Sequence, residues 1–180
     1  MIDLISLTLV NYSHPDCVPL LNIMRLPQDE AFALAKRMAD EHPGETAFGR
    51  FADFDNYYYN RSRQDEYLYS RFAEKGGEPE EKHPLSFAVE GSDYLSEWFG
   101  NGVETRLPLS IIDPKHLSFT IGDSGAMTER DQMFDILTFD ELRAMLGAFD
   151  GSFAEFLTSV GRKYIEAQLW SDGYISSLIS

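Results

Sequence analysis

The sequence holds a single cysteine, Cys17, among 180 residues. One cysteine cannot form an internal disulfide, and no Cys/His pattern typical of a zinc site surrounds it. Basic residues are also few, since 15 Lys and Arg stand against 30 Asp and Glu, for a formal net charge of −15. Binding to DNA or RNA requires clusters of basic residues, so we expect no nucleic-acid partner for the body of the protein.

Long apolar runs are missing as well. No stretch approaches the roughly 18 consecutive apolar residues of a membrane span. The apolar N-terminal segment carries Asp3 where a signal peptide has a basic residue. We therefore expect a cytoplasmic protein with no membrane partner, which agrees with the scarcity of cysteine.

Phosphate-binding loops and metal motifs are absent. Neither Gly-x-Gly-x-x-Gly nor Gly-x4-Gly-Lys-Ser/Thr occurs, which excludes the common nucleotide-binding folds but does not exclude nucleotides. The four histidines form no His-x-His or His-Glu-x-x-His motif. The side chains of His83, Asp113, His116 and Asp123 would converge on a metal only if the strands that they flank were neighbours. We predict no metal and no cofactor.

The densest apolar signal lies in residues 103–124, which we interpret as two strands joined by a turn at Asp113-Pro114. Strands are also predicted at 2–10 and 84–89. Helices are predicted from Pro27 to His42, from Ser62 to Gly76 and over 93–99. Two capping boxes predict two further helices. Thr138 and Glu141 form the first, and Ser152 and Glu155 form the second, which begins a last helix over 152–170.

The strands cluster at the start and in the middle of the chain, with helices between and after them. This order favours an α+β fold, with a small antiparallel or mixed sheet covered by helices in one domain over 1–180. We expect Phe119 to share one interior with Phe156 and Val160 of the last helix. The segments KHPLSF (82–87) and KHLSF (115–119) resemble each other, but matches this short do not establish a duplication.

Residues 50–71 concentrate arginine and tyrosine in an otherwise acidic protein. Arginine binds carboxylate or phosphate in pairs of hydrogen bonds, so we predict an anionic-ligand site formed by Arg50, Tyr58, Arg61 and Arg63. The alternative is that these arginines pair with nearby carboxylates and that the tyrosines fill the core. The ligand hypothesis predicts that the Arg61→Ala and Arg63→Ala substitutions abolish anion binding and leave thermal stability nearly unchanged.

Catalytic candidates are His83, His116, Asp123 and Ser124. The run Gly122-Asp123-Ser124 follows a predicted strand, as in the nucleophile motif of GDSL-type esterases, but no histidine follows it and we reject that family. A serine nucleophile needs a base within hydrogen-bond reach, and His116 is the nearest histidine in the sequence. A plain turn is the structural alternative.

Two functional hypotheses follow. The first is a non-enzymatic binding or protein-interaction domain that takes a small anionic ligand or a protein partner. The second is an enzyme acting on a small anionic or nucleotide-like substrate, in which the arginines hold the substrate and a histidine or Asp123 transfers protons. A homodimer is also predicted, because Ile165, Leu169 and Trp170 lie partly off the main apolar stripe of the last predicted helix.

Overall fold

Six strands form one sheet in which every neighbouring pair is antiparallel. The computed structural model describes residues 1–126 and 135–176. Within these residues the strands are β1 (Thr8–Ser13), β2 (Leu85–Val89), β3 (Val103–Pro108), β4 (Leu117–Thr120), β5 (Leu137–Thr138) and β6 (Glu166–Leu169). Their order is β3-β1-β2-β6-β4-β5. The described α-helices are α1 (Gln28–Glu41), α2 (Phe54–Glu74), α3 (Asp93–Trp98), α4 (Phe139–Ala148) and α5 (Phe153–Ser159).

The predicted α+β fold is confirmed, and the sheet is antiparallel rather than mixed. Strands β3 and β4 do form on either side of the predicted turn, but β1, β2 and β6 lie between them in the sheet. No helix within 1–126 and 135–176 combines the length and apolar composition that crossing a bilayer requires.

One face of the sheet carries the main hydrophobic core, and α4 and α5 cover it. Phe119 of β4 and Phe156 of α5 are buried in this core, and Val160 packs against it. The predicted shared interior is therefore confirmed. Burying a large apolar side chain stabilises a fold by roughly 1.5–3 kcal/mol, so this layer is the main source of stability.

Strand β6 lies between β2 and β4, which pair with it in the same register. Leu85 and Leu117 both lie opposite Leu169, and the next positions, Ser86 and Ser118, both lie opposite Gln168. The two short similar segments of the sequence thus occupy equivalent places on either side of β6. Their common pattern, leucine then serine then phenylalanine, meets the same packing requirement twice.

The predicted last helix over 152–170 is wrong beyond its first half. Helix α5 ends at Ser159, and Gly161 follows with a φ of +63°, a left-handed conformation that commonly terminates helices. The chain then enters β6, where every residue is buried. Apolar and polar residues alternate along 165–169, as in a strand, but Tyr164 and Ala167 also continue the helical spacing of Val160. The polar residues Glu166 and Gln168 give no local sign that both faces of the strand are covered.

Two other element starts also differ from prediction. Helix α2 begins at Phe54 rather than Ser62, and the Asp53 side chain caps it by accepting from the N–H of Asn56. Strand β1 begins at Thr8 and continues to Ser13, because it pairs along its whole length with β3. Near the C-terminus, Asp172–Tyr174 forms a 3-10 helix. For Tyr174 to Ile179 the sequence leaves a short strand or a loose tail open, and positions 177–179 lie outside the described residues.

Both predicted capping boxes are present. In the second, the N–H and the hydroxyl of Ser152 donate to Glu155 Oε2, and Ser152 Oγ accepts from the N–H of Glu155. The hydrogen bonds that Ser152 donates lower the pKa of the Glu155 carboxyl, and the bond from the backbone N–H has the largest effect. The stabilising contribution of Glu155 is therefore present at neutral pH and is lost as the pH falls through the folded-state pKa of this carboxyl.

The Ser152→Ala substitution is expected to lower the free energy of unfolding by about 1 kcal/mol at pH 7, because it removes the side-chain cap of α5. The difference should shrink in acid, where Glu155 is protonated. Urea unfolding at both pH values measures it. Ser110→Ala, at an exposed position, is the control and should change stability by less than about 0.5 kcal/mol. An equal effect of the two substitutions would contradict the assignment.

Candidate functional site

A cleft separates α2 from the second face of the sheet. At one end of α2, Phe54 belongs to an apolar cluster with α1 and with the 3-10 helix Thr46–Phe51. At the other end, Leu68 and Phe72 pack against Trp170. Between these clusters lies an open space of about 2030 Å³, which we call the α2 cleft.

The helical wall of the cleft is polar. Its residues recur at the three- and four-residue spacing of one helix face. They are Asn56, Tyr57, Asn60, Arg61, Arg63, Gln64 and Tyr67. A helix that packed directly on a sheet would carry apolar residues at these positions. The composition of this face therefore indicates a surface that contacts solvent or a ligand.

The floor of the cleft is formed in part by Glu166 of β6, which is only 5% exposed. Its Oε1 accepts hydrogen bonds from the hydroxyls of Ser86 and Ser124, at 2.8 and 2.9 Å. Its Oε2 accepts from the N–H of Ser124 at 2.6 Å. Burial raises the pKa of this carboxyl, although the charge of Arg61 opposes the shift.

Arg61 connects α2 to this floor. Its Nη1 donates to Ser124 Oγ at 3.2 Å, and its Nη2 lies 2.8 Å from Oδ1 of the fully buried Asp65. Asp65 also contacts His83, whose Nδ1 lies 2.7 Å from Asp65 Oδ2. Burial lowers the pKa of Arg61, but the charges of Asp65 and Glu166 outweigh it and the net pKa is raised. Arg61 therefore stays charged and fixed in position.

Arg50 and Arg63 differ from Arg61, because neither forms an ion pair with any carboxylate of the described residues. Both line the α2 cleft and are exposed. The guanidinium of Arg50 lies 4.9 Å from the ring centroid of Phe51 and 5.9 Å from that of Phe99. Such cation–π contacts hold the side chain while its N–H groups remain available to a ligand.

Tyr58, the other predicted ligand residue, packs against Phe32 and Phe54, at centroid distances of 5.3 and 5.8 Å. It is not among the residues that line the cleft, whereas its neighbour Tyr57 is. In α2 adjacent residues point about 100° apart, so locating this helix correctly decides which tyrosine faces a ligand.

Of the predicted catalytic residues, His116 lies apart from Asp123 and Ser124, whereas His83 is connected to Ser124 only indirectly, through Asp65 and Arg61. Asp123 and Ser124 line the cleft beyond the end of β4. His116 precedes the same strand at its opposite end, so about 13 Å of β4 separates it from them, and its Nδ1 lies 2.7 Å from the Tyr174 hydroxyl. Ser124 is 1% exposed, and its hydroxyl is already bonded to Glu166 and Arg61. This burial does not suit a nucleophile. The conditional metal set of His83, Asp113, His116 and Asp123 does not assemble either.

A second group of titratable side chains lies at the edge of the cleft and was missed by the sequence analysis. His14 and Asp16 follow β1, and His42 and Glu45 follow α1. Donor atoms of His14, Asp16 and His42 lie within 4.8 Å of one another. The motifs His-Pro-Asp and His-Pro-Gly-Glu were visible in the sequence, but nothing in it showed that the two loops meet.

Cys17 lies half-buried beside this group, and burial raises the pKa of its thiol. A raised thiol pKa disfavours the reactive thiolate.

Comparisons of the chain with protein-family models, curated proteins and solved structures each gave no match. The functional argument therefore depends on the geometry of the α2 cleft and of the residues around it.

Proposed function

We propose that this protein is a non-enzymatic binding domain that takes a small ligand carrying a phosphate or carboxylate group in the α2 cleft. The observation that carries the proposal is the pair Arg50 and Arg63. In a chain with 30 acidic residues, both line one cleft and neither pairs with a carboxylate of the described residues. Arginine presents a planar set of donors that matches these anions.

The surroundings of the two arginines support a ligand that also has a planar part. Tyr57, Trp98 and Phe99 line the same cleft and offer aromatic faces. The volume of about 2030 Å³ exceeds the roughly 300–1,000 Å³ typical of small-molecule pockets, so a ligand of nucleotide size fits without opening the cleft. The net charge of −15 is not prohibitive, because salt screens charges beyond about 10 Å.

The Arg50→Ala and Arg63→Ala substitutions are each expected to weaken anion binding by about 10- to 100-fold, the value of one or two hydrogen bonds to a charged group. Isothermal titration with phosphate, citrate and adenosine nucleotides measures this effect. Arg143→Ala is the matched control, since Arg143 lies on α4 over the opposite face of the sheet. Equal affinities for all three variants would contradict the proposal.

The second candidate function, an enzyme acting on a small anionic substrate, is favoured by one specific observation. Glu166 and Asp123 line the same cleft as the arginines, and burial raises the pKa of Glu166, as expected of a proton donor. Mass spectrometry of each ligand after incubation distinguishes the two functions, because only an enzyme converts it.

Cytoplasmic location and dimerisation stay predictions. Ile165, Leu169 and Trp170, the residues that suggested a dimer, are buried within one chain.

A further inference from the structure

Two loops bring four polar side chains together beside the α2 cleft. His14 and Asp16 come from the loop after β1, and His42 and Glu45 come from the loop after α1. Phe48 holds both imidazoles, with its ring 4.5 Å from that of His42 in a stacked arrangement and 4.8 Å from that of His14 edge-on. His14 is 8% exposed, so at least one member is fixed by packing.

Glu45 determines where the imidazole hydrogens lie. One carboxylate oxygen, Oε1, lies 3.0 Å from His42 Nδ1, and the other, Oε2, lies 3.0 Å from His14 Nε2. An ionised carboxylate only accepts hydrogen bonds, so each of these two ring nitrogens carries a hydrogen.

In the neutral form of each ring, the opposite nitrogen then presents a lone pair. For His14 a separate contact agrees, because its Nδ1 accepts from the backbone N–H of Asp16 at 3.2 Å. These nitrogens, His14 Nδ1 and His42 Nε2, lie 3.9 and 3.5 Å from Asp16 Oδ2. Three acceptor atoms therefore converge, and a cation that replaces the hydrogen bond from the N–H of Asp16 to His14 Nδ1 would stabilise them.

We propose that His14, Asp16 and His42 bind one divalent transition-metal ion of the zinc class. Imidazole and carboxylate are ordinary zinc ligands, and bonds of about 2.0–2.1 Å place tetrahedral ligand atoms roughly 3.3 Å apart. The 3.5 and 3.9 Å separations are close to this value, and all three ligand atoms lie within 4.8 Å of one another, so a closure of the two loops completes the geometry. Asp16 is exposed and is free to make that movement.

Glu45 acts in this site as a positioning residue. It accepts from the nitrogen of each ring that faces away from the metal, which fixes both the tautomer and the orientation of the ligands. Three protein ligands leave one tetrahedral position open. Because His14 and Asp16 line the α2 cleft, that position is accessible from the cleft. The inference does not depend on the proposed anion binding, since it concerns different residues.

The test is isothermal titration of Zn²⁺ into the full chain, prepared without an affinity tag. We expect one equivalent to bind. Asp16→Asn and His42→Gln should each lower the affinity for Zn²⁺ more than about 100-fold. Glu45→Gln should lower it by about 10- to 100-fold, as for other residues that hydrogen-bond a metal ligand. Mg²⁺ should not bind, because it prefers oxygen ligands.

The controls are His116→Gln and Asp140→Asn, which remove a histidine and a carboxylate that lie outside the cluster. Both should bind Zn²⁺ as the unsubstituted chain does. The absorption spectrum of the Co²⁺-loaded unsubstituted chain should show four-coordinate geometry, and this measurement does not depend on any variant folding. Absence of Zn²⁺ binding, unchanged affinity of the folded Asp16→Asn variant, or equal losses in the controls would overturn the proposal.

Discussion

Replacing Arg61 with alanine is expected to lower the free energy of unfolding by about 3–5 kcal/mol, the cost of leaving a buried charge without its partner. Arg61 lies 2.8 Å from Asp65, which is fully buried, and its charge also acts on Glu166. Its removal leaves the buried carboxyl groups of Asp65 and Glu166 without the cation that acts on both, although Asp65 keeps its contact with His83. Urea unfolding monitored by circular dichroism measures the loss.

Arg63→Ala is the matched control, because Arg63 lies two residues further along the same helix and is exposed. The Arg63→Ala substitution should change the free energy of unfolding by no more than about 0.5 kcal/mol. The double variant Arg61→Ala, Asp65→Asn should lose less stability than the sum of the single variants, since the two residues interact. Equal stability of Arg61→Ala and Arg63→Ala would instead support the sequence-based expectation that neither arginine contributes to folding.

Replacing Trp170 with alanine is expected to cost about 3–5 kcal/mol, the usual range for deleting a buried aromatic side chain. Trp170 is fully buried and joins the C-terminal half of α2 to the sheet. Its ring stacks on Phe72 at 6.1 Å, and its Nε1–H donates to Ser118 Oγ at 2.8 Å. The substitution therefore removes both an apolar contact and a buried hydrogen bond, and thermal unfolding measures the result.

Trp170→Phe separates these two contributions. It keeps an aromatic ring in the core but removes the Nε1–H donor together with part of the indole volume, so it should cost less than Trp170→Ala, with about 1 kcal/mol of its cost from the hydrogen bond. Trp98→Ala, at a half-buried position on α3, is the second control and should cost clearly less than Trp170→Ala. The assignment is contradicted if Trp170→Ala and Trp98→Ala lower the melting temperature equally.

The sequence predicts an element well where one local signal decides it. Thr138 and Ser152 mark two helix starts because their capping boxes depend on residues only three positions apart. It fails where tertiary contacts decide. Nothing local shows that both faces of β6 are covered, and the aromatic run before Ser62 hides the start of α2, because Tyr and Phe are only moderate helix formers.

The candidate site was likewise predictable only where the local sequence decides it, and not where tertiary contacts do. Arg50, Arg61 and Arg63 do line one cleft, as their concentration in one segment suggested. The different environments of these arginines were not predictable. Arg61 interacts with Ser124 and Glu166, which are more than 60 residues away from it in the sequence. The convergence of His14 with His42 depends likewise on how two distant loops meet.

The position of β6 has a consequence for biosynthesis. It is the last of the six described strands to leave the ribosome, yet β2 and β4 both pair with it. Until it emerges, the nascent chain holds a three-stranded fragment, β3-β1-β2, and a separate hairpin, β4-β5, each with an unprotected edge. Folding to the native topology must therefore wait until β6 has been synthesised. A ribosome-bound intermediate stalled before residue 166 should be sensitive to proteases and should recruit chaperones.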